Sequence, residues 1–210
     1  MYTQKGANMK TVTILNASPR KKGNSHAIAN TFGETAQASG ATVNTYELNA
    51  ISAKGCQGCF ACKGKTERCV VRDDLSQVLE AVHHTDVLVL ASPVYFGDVA
   101  AQMKPFMDRL FHLFTPDFHK GLDHKTGKYT GHRTSRLPEG VQLVFIITQG
   151  NQTETVQADI PARYENFFRW LGFEDVHILR GLGDATITTD NTIDEVHAQA
   201  RTLAHALTTA

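Results

Sequence analysis

Asn16-Ala17-Ser18-Pro19-Arg20-Lys21-Lys22-Gly23-Asn24-Ser25 lies between an apolar run (Val12, Ile14, Leu15) and a helical pattern carrying Ile28 and Phe32. A strand that turns through hydroxyl, basic and Gly/Asn residues into a helix start has a physical use. The amides of a first helical turn lack partners within the helix, and the helix dipole favours negative charge there. Ser18 and Ser25 bring hydroxyl donors, and Arg20 brings a permanent cation with five N–H groups. The stretch reads as a phosphate cradle; the plainer reading is an ordinary turn with a serine cap and solvated lysines. Neither G-x-x-x-x-G-K-[ST] nor G-x-G-x-x-G occurs in it, so neither a triphosphate loop nor a dinucleotide loop is supported.

Outward from the cradle, strands and helices alternate. Residues 11–16 read as a strand, 25–38 as a helix ended by Gly40, and 41–48 as a second strand. Asp73 is placed to cap a helix whose Leu75, Val78, Leu79 and Val82 follow one face. Val87-Leu88-Val89-Leu90 is a continuous apolar run, the pattern of a strand buried on both faces of a parallel sheet. It leaves through Ala91-Ser92-Pro93-Val94-Tyr95-Phe96-Gly97 into a helix through Met103, Phe106, Leu110 and Phe111, with Pro105 in its first turn. Val141 to Thr148 is a further strand, leaving through Gln149-Gly150-Asn151. A helix with Ile160, Tyr164, Phe167, Phe168 and Leu171 on one stripe comes next, then a strand within 173–180. A last helix starts at Thr192, with Glu195 completing a capping box.

This alternation predicts one α/β domain over residues 1–210: a flavodoxin-like, doubly wound, five-stranded parallel sheet of order 2-1-3-4-5 with helices on both faces. Ligands of such sheets bind beyond the carboxyl ends of the strands. The exits after strands one, three and four are therefore expected to gather at one edge.

The totals narrow the function classes. Basic and acidic residues balance at 21 each among 210 residues. A neutral chain has no global field for nucleic acid or anionic lipid. No apolar run approaches the roughly 20 residues that span a bilayer. The first ten residues lack the apolar core of a signal peptide, so a cytoplasmic location is expected. All four cysteines fall between positions 56 and 69. A secreted disulfide framework would scatter them, so this cluster, in a loop of residues 49–72, points to metal or redox chemistry. Residues 115–139 form a long basic loop without apolar periodicity. It is either a solvated segment or a lid whose cations meet a second nucleotide's phosphates.

S-P-R-K-K-G-N-S after strand one resembles the phosphate loop of NADPH-dependent FMN reductases. S-P-V-Y-F-G-D-V-A-A-Q-M-K-P-F-M-D-R-L resembles their second loop and its helix, and T-Q-G is similar to the third loop. G-C-Q-G-C-F-A-C followed by C-V-V-R-D-D-L resembles the iron–sulfur flavoprotein branch. The resemblance runs from about residue 10 to about residue 180. It implies FMN as cofactor and NAD(P)H as co-substrate. Ser18, Arg20, Lys22, Gly23, Asn24 and Ser25 would hold the 5′-phosphate. Pro93, Val94, Tyr95, Phe96 and Gly97 would run beside the flavin ring, with Thr148, Gln149 and Gly150 lining the other side. No catalytic residue is assigned, since the cofactor carries the chemistry, and Ser25-His26 is not read as a catalytic pair. The acceptor would be a small molecule or a partner protein, and a homodimer or homotetramer is implied. A flavodoxin-type electron carrier that never meets nicotinamide is the alternative, and a redox-sensing module a third reading.

Cys56, Cys59, Cys62 and Cys69 are spaced C-x2-C-x2-C-x6-C. Three readings stand: a [4Fe–4S] cluster with one thiolate per iron, a tetrathiolate zinc, and free or reversibly oxidised thiols. Lys54, Lys63, Lys65 and Arg68 surround the cysteines and would offset a cluster's charge.

Overall fold

The computed structural model describes residues 9–183 and 192–209. The chain alternates as expected. β1 (Thr11–Asn16) leads to α1 (Asn24–Ala38) and β2 (Thr42–Glu47). The cysteine loop then enters α2 (Leu75–Val82), β3 (Val87–Tyr95), β4 (Asp98–Val99) and α3 (Met103–Arg109). β5 (Gln142–Gln149), α4 (Asp159–Leu171), β6 (Val176–Leu182) and α5 (Thr192–Thr208) complete it.

The five expected strands form a parallel sheet, and one short strand not expected from the sequence is added, which shifts the numbering of the last two. The sheet has six strands in the order β2-β1-β3-β5-β6, with β4 off this path and paired antiparallel to β3. The other pairings are parallel. The added strand arises because Phe96 and Gly97 both adopt positive φ, 49° and 83°. Positive φ at both central residues makes the kind of two-residue turn that matches strand twist, so the chain folds back as a hairpin.

Alternation along the strands divides the core. Val12, Ile14, Val87, Val89, Val144 and Ile146 face α1 and α5. Leu15, Leu88, Leu90, Leu143, Phe145 and Ile147 face α2, α3 and α4. Leucine and phenylalanine fill the wider second layer, where Phe145 meets Tyr164 and Phe168 at ring separations of 5.6 and 5.5 Å.

Two other expectations are adjusted, and a third falls outside what is described. The helix at Met103 ends at Arg109 and continues only as a 3₁₀ turn, Leu110–Leu113. Phe167, expected on the buried stripe of α4, is 48% exposed. The side chain of Thr192, the expected cap of α5, lies outside the described residues.

Residues 115–139 dock rather than float. Phe111, Phe114, Phe118 and Trp170 form one aromatic cluster, with Phe114 and Trp170 centroids 4.4 Å apart. Trp170 Nε1 donates to the Phe118 carbonyl. A Cβ on Gly121 would lie 2.5 Å from Trp170, so only glycine lets the loop approach this closely. Arg133 donates to the Gly172 carbonyl, and Tyr129 N to Asn166. These anchors tie the loop to α4 and the residue after it, from Asn166 to Gly172.

Candidate functional site

The first loop is shaped by its own backbone. Arg20 N donates to Ser18 Oγ, which in turn donates to the Arg20 carbonyl, and Gly23 N donates to the same carbonyl. A Cβ on Gly23 would sit 3.0 Å from Ser18 Oγ and 3.1 Å from the Arg20 carbonyl, so the turn closes this tightly only around glycine. Gly23 caps α1 without a side chain, and no acidic residue stands in the first turn. The amides at that end are left for an outside acceptor. Ser25, 1% exposed, has a hydroxyl with no hydrogen-bond partner. Arg20, Lys21 and Lys22 are exposed beside it, and Asn24 is half-buried.

The neighbouring His26 is engaged elsewhere. Its Nε2 lies 3.0 Å from Glu47 Oε1, which also accepts from Asn16 Nδ2. This ties α1 to the ends of β1 and β2. Ser25 and His26 make no hydrogen bond with one another among the described residues.

The second loop is the β3–β4 hairpin. Ala17 N donates to the Ala91 carbonyl, joining it to the cradle at the β1–β3 boundary. This is where the order reverses, since β2 lies on the other side of β1. Pro93 is buried and Val94 half-buried, whereas Tyr95 is 41% exposed and Phe96 and Gly97 stand fully in solvent. Ala100 N donates to Ser92 Oγ, fixing the hairpin's base. Asp98 accepts from Val99 N and from the Tyr164 hydroxyl, and pairs with Arg163 at 3.2 Å. Burial and the Asp98 carboxylate push the Tyr164 phenol well above its usual range. From Asp98 and Tyr164 a groove of about 510 Å³ runs between α3 and α4 to Phe111 and Trp170.

The third loop starts at Thr148, which pairs in register with Pro93. Gln149 is 5% exposed and its side chain is occupied: Nε2 donates to the Asn151, Thr153 and Val156 carbonyls, and Oε1 accepts from Arg180. It shapes the loop, while the backbone of Thr148 and Gln149 belongs to the ladder between β5 and its neighbours. The structure thus brings the three predicted segments to one sheet edge, and places the Gln149 amide inside its own loop.

The four cysteines are unbridged and line one small cavity together with Phe60, Arg109 and His112. Among the described residues, no three of His, Cys, Asp and Glu lie close enough to hold a single metal ion. Three cations surround the loop. Lys63 Nζ lies 3.7 Å from Cys62 Sγ and donates to the Phe111 and Phe114 carbonyls. Burial lowers its pKa. Arg136 donates to the Cys62 carbonyl. Arg109, 1% exposed, is bound to Asp73 and has an Nε–H without a partner. Burial pushes the Asp73 carboxyl up, but hydrogen bonds from Arg109 and Lys54 N outweigh it and leave the group below the usual carboxylate range. Local periodicity signalled none of this: Arg109 reads as one more residue of α3 until the fold sets it beside Asp73.

Comparison with known proteins bears on the family and the fold. The pattern of the NADPH-dependent FMN reductase family matches residues 9–137. An iron–sulfur flavoprotein from Archaeoglobus fulgidus is 40% identical over 102 residues, covering 49% of this chain and 46% of the relative. One from Methanosarcina thermophila is 31% identical over 116 residues, covering 55% of this chain and 59% of that one. The chain spans about half the length of these relatives. Among solved structures, an FMN-dependent NADH-azoreductase from Bacillus anthracis, in complex with FMN, superposes with a TM-score of 0.70 at 16% identity, over 95% of this chain and 100% of that one. An NAD(P)H:quinone oxidoreductase from Methanothermobacter marburgensis gives 0.67 at 18%, over 95% and 98%. At those identities the likeness is one of fold. By its sequence pattern over more than half its length, the chain belongs to the NADPH-dependent FMN reductase family.

Proposed function

We propose that the chain is an FMN-dependent NAD(P)H oxidoreductase of the flavin- or quinone-reductase type. The observation that carries the reading is the buried, unpartnered Ser25 hydroxyl at an uncapped helix start, beside exposed Arg20. A buried hydroxyl without a partner is costly, and a monophosphate oxygen would satisfy it. When bound, FMN supplies the hydride and electron chemistry. Ser18, Arg20, Lys22, Gly23, Asn24 and Ser25 hold its 5′-phosphate. Pro93 to Gly97 run beside the ring, Tyr95 and Phe96 offering aromatic surface. The backbone of Thr148, Gln149 and Gly150 lines the opposite side.

Anaerobic mixing of the flavin-loaded protein with NADPH or NADH tests the reading: bleaching of the yellow colour is expected with at least one of them. No bleaching by either would leave the flavodoxin-type carrier as the function.

Cys56, Cys59, Cys62 and Cys69 would hold a [4Fe–4S] cluster, which would supply electron relay toward a small acceptor or a protein. A zinc ion needs four donors about 2.3 Å from one point, whereas a cubane offers each thiolate its own iron. Four thiols lining one cavity, with cations around them, suit the larger, anionic group. Iron and acid-labile sulfide measured on anaerobically purified protein test this part. Copies meet through the groove side of α3 and α4, where Phe167 is exposed; sedimentation should give a homodimer or homotetramer.

A further inference from the structure

Residues 52–74 carry four cysteines, yet they contain a single 3₁₀ turn, Ala61–Lys63, and pair with no strand. A segment with so few internal bonds keeps one shape only when groups outside it offset the entropy of ordering it. Those groups are Asp73 and Arg109. Asp73 Oδ2 accepts from Lys54 N at 2.8 Å, and Oδ1 from Leu75 N at 3.2 Å. Arg109 Nη1 lies 2.6 and 2.7 Å from the two oxygens of Asp73, and Nη2 donates to the Val71 carbonyl at 2.8 Å. The chain before the first cysteine and the chain after the last are therefore joined through one buried guanidinium. The same guanidinium lines the cavity around which all four thiols stand, and its Nε–H has no partner.

We propose that Arg109, with Asp73 as its buried partner, is a positioning residue of the cysteine centre: the pair sets the four thiols around one cavity before any metal arrives. The planar fork of Arg109 is what the role requires, since it must meet a carboxylate and a carbonyl at fixed angles. Lysine keeps the charge and loses the fork. Arg109 also brings a cation to the lining of the cavity, suited to an anionic occupant. The inference rests on the cluster reading only for the identity of that occupant.

The experiment compares wild type with Arg109→Lys and, as a second variant in case the first folds poorly, Asp73→Asn. Chelator-treated protein is examined first, by hydrogen exchange of the amides of residues 52–74 and by maleimide labelling of the four cysteines. Anaerobic reconstitution with ferrous iron and sulfide follows, read as iron per chain and by the electron paramagnetic resonance signal of the reduced centre. The expected result is loop exchange about tenfold faster in the variants with strand amides unchanged, faster maleimide labelling, and a matching loss of iron uptake. Loop protection equal to wild type in both variants would overturn the proposal. So would a loosened loop that still takes up iron with the wild-type signal. If wild type takes up no iron while its loop loosens and labels faster on substitution, the cluster reading fails and the positioning role stands.

Discussion

Ser25 is the residue on which the phosphate reading turns, and it permits an unusual test. In flavin-free protein its hydroxyl is buried without a partner, so Ser25→Ala removes a group whose desolvation costs about 1–3 kcal/mol. The variant should be at least as stable as wild type in thermal melts without FMN. Its affinity for FMN should fall about tenfold or more, because a hydrogen bond to a charged group is worth roughly 1.5–3 kcal/mol. A structural serine would give the opposite pattern, a lower melting temperature and unchanged affinity. Arg20 is exposed and pairs with no carboxylate among the described residues. Arg20→Ala should therefore keep the wild-type melting temperature and lose flavin during purification, read from the absorbance of the purified protein. The placement of these residues between a strand exit and a helix start was legible in the sequence, since a strand, a turn and a helix start are local features. Two things were not: the Gln149 amide is turned inward by carbonyls of a loop that periodicity does not describe, and Phe96-Gly97 lacks the Asn-Gly signature of the tight hairpin it forms.

Among the elements, the docked loop and the α2–α3 contact each make a prediction. Trp170 is the chain's only tryptophan, and Gly121 packs against its indole. Gly121→Val should displace the ring, shifting fluorescence to longer wavelength while the far-ultraviolet spectrum holds. The rate at which NADPH or NADH bleaches bound flavin separates the two readings of the loop: unchanged for a docked segment, slower for a lid. The signal for this docking was split between Phe114, Phe118 and a tryptophan some fifty residues later, which no local window joins. His83 after α2 and His112 after α3 meet with Nε2 atoms 3.1 Å apart. Burial, reinforced for His83 by Arg68, lowers both to about 4, and the Arg109 carbonyl opposes the shift at His112 without cancelling it. An unfolded histidine binds its proton near pH 6.5. Between about 6.5 and 4 the unfolded chain therefore takes up protons that the folded chain refuses, and stability falls as pH falls through that window. Urea melts of chelator-treated protein should show this slope, and His112→Asn should flatten it.

For the whole molecule, the sheet was the most legible feature. Val87 to Leu90 reads as a strand covered on both faces, and it is one, buried at 1% exposure or less. The missing element was the shortest one, since two residues of β4 carry no period of their own. A ligand at the carboxyl edge bridges loops from β1, β3 and β5, so its binding energy should appear as global stability. At FMN concentrations a thousandfold above the dissociation constant, linkage adds about 4 kcal/mol, or roughly 10 °C in the melting temperature of a domain this size. Calorimetry with and without FMN checks it. No helix among the described residues is long and apolar enough to cross a membrane.

The stem of the cysteine loop has one more consequence. Ser52 N donates to Asp74 at 2.9 Å and Lys54 N to Asp73 at 2.8 Å, so positions about twenty residues apart in the chain are neighbours in space. A segment whose two ends already touch behaves as a cassette: its length and contents can change while the strands on either side keep their register. Replacing residues 56–70 by a few glycines should leave a folded, flavin-binding domain without the thiols. The same stem offers a ready socket for grafting a different metal-binding loop onto this scaffold.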